Sequence, residues 1–425
     1  MSKKNIVLAV IAAIVLIQAL VYLRILPGRK PPAPANVNIT FWGFQDDGEV
    51  WRDIILTFQK KYSHINVSYQ RLDRASYEET LVNRMAEGKG PDVLMLPNTL
   101  LFKHRDKIYP LPQQTLAFSA RHFSPLFVDA AYEELVSPEG IIFGLPLFID
   151  TPVLFYNKDI FNAAGIATTP NNWDEVTAIS RKLTEKNNVG EIIKSGLPLG
   201  TSQNVEHSFE IVSSLIFQEG DPIIRRSPSL ALVLEESATK AFAFYTSFAD
   251  PSNANFSWSN RLAHSLTAFS QTTSAFGFGF YEDIARVRAK NPHLNFGILS
   301  FPQKKDIRFP VVYARYSFPT VSKSSPNILA AWQFVDFITR GEGAKMYIDK
   351  TGLPPARRDL LANRPTNPDL DVFYRQALIA KTWPIPDESR TKRLFSETIE
   401  SIVSHTNTAH QAVQNLKGRL DLLLP

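Results

Sequence analysis

The sequence predicts an α/β protein with doubly wound sheets, divided into more than one lobe. Three observations carry this. Strand and helix patterns alternate through the first globular third. Similar alternation resumes after Phe143 and runs to about Pro302. A chain of 425 residues exceeds one ordinary core, so two or three domains or lobes are expected.

Residues 1–26 come first. Ile6 to Leu23 hold one polar side chain, Gln18, in 18 positions. As a helix they would span about 27 Å, close to a bilayer's hydrocarbon thickness. Lys3 and Lys4 precede them, as in a signal sequence. The best small-residue cleavage match, Ala33-Pro34-Ala35, lies far downstream, so an uncleaved transmembrane anchor fits better than a removed signal. Residues 27–37 then read as a proline-rich tether.

In Val37 to Gly43, Val37, Ile39 and Phe41 face one way and Asn38, Thr40 and Trp42 the other, which is strand alternation. Trp51, Ile54, Ile55, Phe58 and Tyr62 follow at helical spacing. Ile65, Val67 and Tyr69 alternate again. Tyr77, Leu81 and Met85 mark a second helix, ended by Gly88, and Asp92 to Leu96 is a short buried run. This β-α-β-α-β order predicts a parallel sheet with right-handed crossovers.

In the second block, Pro152 to Tyr156 suits a strand covered on both faces. Asn157 can cap the next helix and Gly165 can stop it. Asn172 and Glu175 are spaced as a capping box, and Trp173, Val176, Ile179 and Leu183 make an apolar stripe behind them. Leu329, Trp332, Val335 and Ile338 make another, and an amphipathic helix closes the chain from about Thr408 to Leu424.

Composition excludes several function classes. There is no cysteine, hence no disulfide, thiolate metal site, thiol nucleophile or lipid-bearing cysteine. The pI of 9.1 is a local effect. Residues 1–30 carry five basic residues and no acid, and the remainder holds 41 basic and 41 acidic side chains. A neutral body has no general field for a polyanion, so no nucleic-acid partner is expected. The sequence has no H-E-x-x-H, G-x-S-x-G or Walker A pattern, and its eight histidines show no ligand spacing. No catalytic residue, metal or cofactor is assigned.

The run FGLPLFIDTPVLFYNKDIFNAAGIATTPNNWDEVTAISRKL (residues 143–183) resembles the family 1 extracellular solute-binding proteins of ABC importers, the group that includes maltose-binding protein. Gly88 to Val93 (G-x-G-P-D-V), Ala275 to Gln303 and Tyr347 to Ala356 are similar to further pieces of that family, and the likeness covers about residues 38–425. One piece departs: where members commonly carry a Gly-Lys pair before the cleft strand, this chain has Thr272-Thr273. The resemblance implies a two-lobed periplasmic-binding-protein-like fold. Its N-lobe would comprise residues 38–148 and 303–350, and its C-lobe 149–302 and 351–425. It implies an extracytoplasmic body that closes on a solute, expected to be a carbohydrate, and docks on permease subunits.

Ligands of open α/β sheets collect beyond the carboxyl ends of the strands. Trp42, Phe44 and Gln45 follow the first strand and Pro97 and Asn98 the third. Tyr281 and Glu282 follow the strand from Ala275, and Arg315, Tyr316 and Ser317 the strand from Val311. By motif position, the resemblance implies ligand contacts for Trp42, Asp150 and Tyr281. It also implies a cleft loop at Leu199 to Asn204, flanked by Trp258. Aromatic faces against sugar C–H groups, with Asp, Asn and Arg on the hydroxyls, suit a polyhydroxylated solute. Each residue also has a plainer use: Trp42 and Tyr281 in packing, Asp150 in capping or pairing, Arg315 in an ion pair. Tyr156 and Trp173 read as core. Two other readings stay open, an anchored glycan-active enzyme and a sensor or adaptor that kept the lobes without import.

Overall fold

A computed structural model describes residues 2–22, 35–220, 223–225, 231–233 and 235–424. In chain order its strands are β1 (Val37–Gly43), β2 (Ile65–Arg71), β3 (Val93–Pro97), β4 (Ile108–Tyr109), β5 (Val153–Asn157), β6 (Glu185–Lys186) and β7 (Ile192–Lys194). They continue with β8 (Ile224–Arg225), β9 (Ala231–Leu232), β10 (Phe276–Gly279), β11 (Phe296–Leu299), β12 (Val312–Tyr313), β13 (Ser317–Ser322) and β14 (Ala380–Lys381).

The first sheet has the order β2-β1-β3-β13-β4. As the alternation predicts, β1 runs parallel to β2 and β3. β13 then returns antiparallel between β3 and β4. The helix Gly48–Lys61 lays Trp51, Ile54, Ile55 and Phe58 on this sheet, and the rings of Phe41 and Trp51 meet edge to face at 4.8 Å. Asp92 of the G-x-G-P-D-V run ties the sheet together. Its carboxylate accepts from the Thr40 N–H at 2.8 Å and from the Ser325 hydroxyl at 2.5 Å. Leu329 departs from its expected stripe and is 52% exposed, while Trp332, Val335 and Ile338 are buried.

The second sheet is β10-β5-β11, and both outer strands run antiparallel to β5. The expectation of a parallel, doubly wound sheet in this lobe is therefore corrected. An all-apolar strand reports burial on two faces and says nothing of its neighbours' direction. The N-caps behave as the sequence implies. The Asn157 side chain accepts from the Asp159 and Ile160 N–H groups at 3.0 and 3.1 Å, and Gly165 has φ +67°. Replacing Asn157 with Ala is expected to cost about 1 kcal/mol, read by chemical denaturation. At the next helix Asn172 accepts from the Glu175 N–H, but Glu175 reaches back to the N–H of Asn171, one residue earlier than a capping box requires.

Two large cores define the lobes. Residues from Val311 to Tyr313 pack in the second core, and Ala314 and Tyr316 in the first. The chain thus leaves the second core after Tyr313, later than the 302/303 boundary expected. Ala356 and Leu361 still pack in the first core, whereas Trp383, Leu394 and Phe395 lie in the second, so the last crossing also falls after position 350. Apolar spacing locates buried residues but does not say which core receives them.

At the amino terminus, Lys3–Tyr22 is a helix whose side chains are described to Gln18, with Ile6, Val7 and Leu8 exposed by half or more. Among the described residues no helix is long and apolar enough to cross a membrane. Most of the tether expected at 27–37 lies outside the described residues.

Candidate functional site

Between the lobes lies a cleft of about 610 Å³. The first lobe supplies Phe44, Gln45, Asp46 and Asp47 beyond β1, and Pro97, Asn98 and Thr99 at and beyond the end of β3. The second lobe supplies Glu210, Tyr281, Glu282, Glu388 and Lys392, and the crossings contribute Phe148, Asp150, Tyr313, Arg315, Tyr316 and Ser317. Among the described residues five helices begin at this cleft: Gly48–Lys61, Asn98–His104, Ser208–Gln218, Tyr281–Lys290 and Glu388–Val403.

Asp150 and Arg315 bind the crossings to each other. Their backbones exchange two hydrogen bonds of 2.9 Å, a single bridge between otherwise separate strands. The Asp150 carboxylate is buried and accepts from the N–H groups of Thr151 at 2.9 Å and Tyr281 at 3.2 Å. Burial pushes its pKa up to about 7, against the pull of Arg315 and of the Tyr281 N–H. The Arg315 guanidinium lies over the Phe280 ring at 3.7 Å, donates to Glu282 at 2.8 Å and stands 3.6 Å from Asp150.

Elsewhere on the cleft wall, Lys392 stands between Glu210 at 3.1 Å and Glu388 at 3.0 Å. Burial disfavours ionisation of Glu210, but Lys392, His207 and Arg315 outweigh it and hold its pKa near about 2. Asp46 differs: burial raises its pKa to about 6, although the Tyr347 hydroxyl donates to it at 3.0 Å. One rim carries contacts from lobe to lobe. Lys103 bonds both Glu78 at 2.9 Å and Asp387 at 2.8 Å, and Thr99 donates to Glu388 at 2.9 Å.

Six of the nine expected contact residues meet in this cleft: Phe44, Asn98, Asp150, Tyr281, Arg315 and Tyr316. The other three stand elsewhere. Trp42 is still within β1, packed in the first core, and the chain reaches the cleft only at Phe44. Asn204 and Trp258 belong to each other. The Trp258 indole donates to Asn204 Oδ1 at 3.0 Å, and Asn204 donates to the carbonyls of Ser259 and Leu262. The pair staples a loop within the second lobe.

Sequence reasoning missed Asp46, Glu210, Glu388 and Lys392. Glu210 and Glu388 stand in the first turns of helices and Lys392 one turn after Glu388, and amphipathic patterning marks only a helix's buried face. Among the described residues no group of three His, Asp or Glu side chains is arranged to hold a metal ion. The cleft thus offers aromatic faces, hydroxyls and paired charges from two bodies that a hinge connects, an arrangement suited to enclosing a small polar molecule.

Comparison with known proteins agrees with this geometry. The family model for bacterial extracellular solute-binding proteins matches residues 42–345. The sn-glycerol-3-phosphate-binding periplasmic protein UgpB of Shigella flexneri is 22% identical, covering 92% of this chain and 93% of its own. Among solved structures, a cyclo/maltodextrin-binding protein complexed with maltotetraose superposes with a TM-score of 0.75 at 18% identity, over 92% of this chain and 98% of its own. The Listeria monocytogenes maltose-binding protein MalE gives 0.73 at 15%, over 91% and 97%. A Thermotoga lettingae ABC transporter solute-binding protein bound with α-D-tagatose gives 0.70 at 21%, over 92% and 100%. These likenesses carry the two-lobed fold, and the matched family model carries the membership: the chain belongs to the bacterial extracellular solute-binding proteins.

Proposed function

We propose that this protein is the substrate-capturing component of an ABC importer and that its solute is a carbohydrate. One observation carries the reading: Phe44 of the first lobe and Tyr281 of the second line the same cleft, together with Asn98, Asp150 and Arg315. Flat apolar faces suit sugar C–H surfaces, and the amide, carboxyl and guanidinium groups suit hydroxyls. The likeness to sugar-bound structures supports the same class.

Mechanism on this reading is a population shift. A solute touching both lobes stabilises the closed form, because only there are both sets of contacts made. No bond is made or broken, and the closed form is what a permease would recognise. The body would stand outside the cytoplasm, held to the membrane by Lys3–Tyr22, whose exposed apolar side chains suit lipid.

Small-angle scattering against maltose, maltotetraose, mannobiose and tagatose tests the proposal. A decrease in radius of gyration with at least one of these sugars is expected. No compaction with any of them, nor with a wider set of neutral glycans, would count decisively against a carbohydrate solute.

A further inference from the structure

The four cationic side chains that line the cleft all face carboxylates. Lys392 lies between Glu210 and Glu388, and Arg74 stands 3.7 Å from Glu388. Arg315 pairs with Glu282 at 2.8 Å, and Lys350 with Asp53 at 2.7 Å. The lining itself holds six carboxyl groups (Asp46, Asp47, Asp150, Glu210, Glu282 and Glu388) against those four cations.

Helix starts ordinarily attract anions through their free N–H groups and dipoles. Here four of the five that open on the cleft carry acids in their own first turns, Glu49 serving Gly48–Lys61. Glu210 serves Ser208–Gln218, Glu282 and Asp283 serve Tyr281–Lys290, and Glu388 serves Glu388–Val403. Glu388 also takes the Thr99 hydroxyl, and Asp387 accepts from the Arg390 N–H. An incoming phosphate or carboxylate would therefore have to displace a resident carboxylate from its cation. The displaced group would remain beside it in a partly desolvated space, where like charges repel strongly. A hydroxyl does not face this conflict, since it can donate to a carboxylate and accept from a cation at once.

We infer that the cleft admits uncharged or cationic polyols and excludes phosphate esters and sugar acids, with Glu210 and Glu388 as the residues that enforce the exclusion by occupying Lys392 and Arg74. This rests on the carbohydrate-binding reading above and narrows it. It also separates this chain from the glycerol-phosphate-binding relatives that it resembles in sequence.

The test uses the full chain, with sn-glycerol 3-phosphate and inorganic phosphate as probes, in titration calorimetry. The unaltered protein is expected to give no binding with either. The double variant Glu210→Gln, Glu388→Gln is expected to bind sn-glycerol 3-phosphate with a Kd at least about tenfold below the weakest that the titration detects, as a freed cation regains a charge-assisted partner. Glu388→Gln alone is the fallback if the double variant fails to fold, as judged by circular dichroism, and the same gain is expected in smaller degree. Micromolar binding of sn-glycerol 3-phosphate by the unaltered protein would overturn the exclusion. Absence of any gain in the folded variants would overturn the assignment of Glu210 and Glu388. Both outcomes are independent of the neutral-sugar scattering series, whose failure would instead remove the carbohydrate reading.

Discussion

Asp283→Ala is expected to lower the free energy of unfolding by about 3–5 kcal/mol, the range for breaking one side of a buried charged network. Its carboxylate is wholly buried and accepts from three directions: the Phe280 N–H at 2.9 Å, His207 Nε2 at 2.7 Å and Arg286 at 2.6 Å. His207 has φ +63°, a left-handed conformation that a β-carbon disfavours, and its ring also meets Phe280 edge to face at 4.8 Å. Removing Asp283 would leave that strained histidine and the first turn of Tyr281–Lys290 without their common acceptor. Tyr281 and Glu282, which that turn presents to the cleft, would lose their fixed positions, so solute affinity should fall with stability. The pH dependence has a definite sign. Burial opposes ionisation of Asp283, but His207 and the Phe280 N–H outweigh it and hold the pKa at about 2, below the ordinary 3.8. Its contribution is thus present above 3.8 and is lost as pH falls through about 2. Urea unfolding at pH 7 measures the loss, and a loss under 1 kcal/mol (roughly that of an exposed pair) would show that the network is not what holds this turn.

The second large effect concerns Asp150, with the opposite sign. Its pKa is raised from 3.8 to about 7, so the folded protein holds a proton that the unfolded chain releases. Stability from this group is fully present below 3.8 and is lost as pH rises through about 7. In Asp150→Asn that slope disappears. Relative to the variant, the unaltered protein should lose stability by up to about 1.4 kcal/mol per pH unit between pH 5 and 7. The amide keeps an oxygen for the Thr151 and Tyr281 N–H groups, but its NH₂ faces Arg315, so the comparison is between slopes and not between absolute values. Unfolding midpoints across pH 5 to 8 give the answer, and parallel curves for the two proteins would refute it. Asp46, raised to about 6, titrates in both proteins and cancels.

Much of the framework is legible in the residues themselves. Ile39 and Phe41 specify one face of β1, Trp51 to Phe58 the helix upon it, and Asn157 and Gly165 the two ends of the helix Lys158–Ala163. These are local rules of period and capping, which act through neighbouring residues. What escaped is what only distant residues decide. The antiparallel course of β10 and β11 about β5 depends on segments more than a hundred residues away. Trp42 and Phe44 sit two residues apart, yet only the second reaches the cleft, because β1 extends as far as Gly43. Asn204 and Trp258 look like binding side chains until their mutual hydrogen bond is seen. Glu210 and Lys392 are one working pair, 182 positions apart in the sequence, which no spacing rule could connect.

The place of β13 between β3 and β4 has a consequence for synthesis. The first sheet cannot be completed until residue 322 has emerged, and its core still awaits Ala380. An N-terminal fragment therefore holds an open gap where a central strand belongs, and late long-range pairing makes for slow folding. The first core closes only with Ala380 and the second only with Leu420, so neither lobe can be finished much before the other.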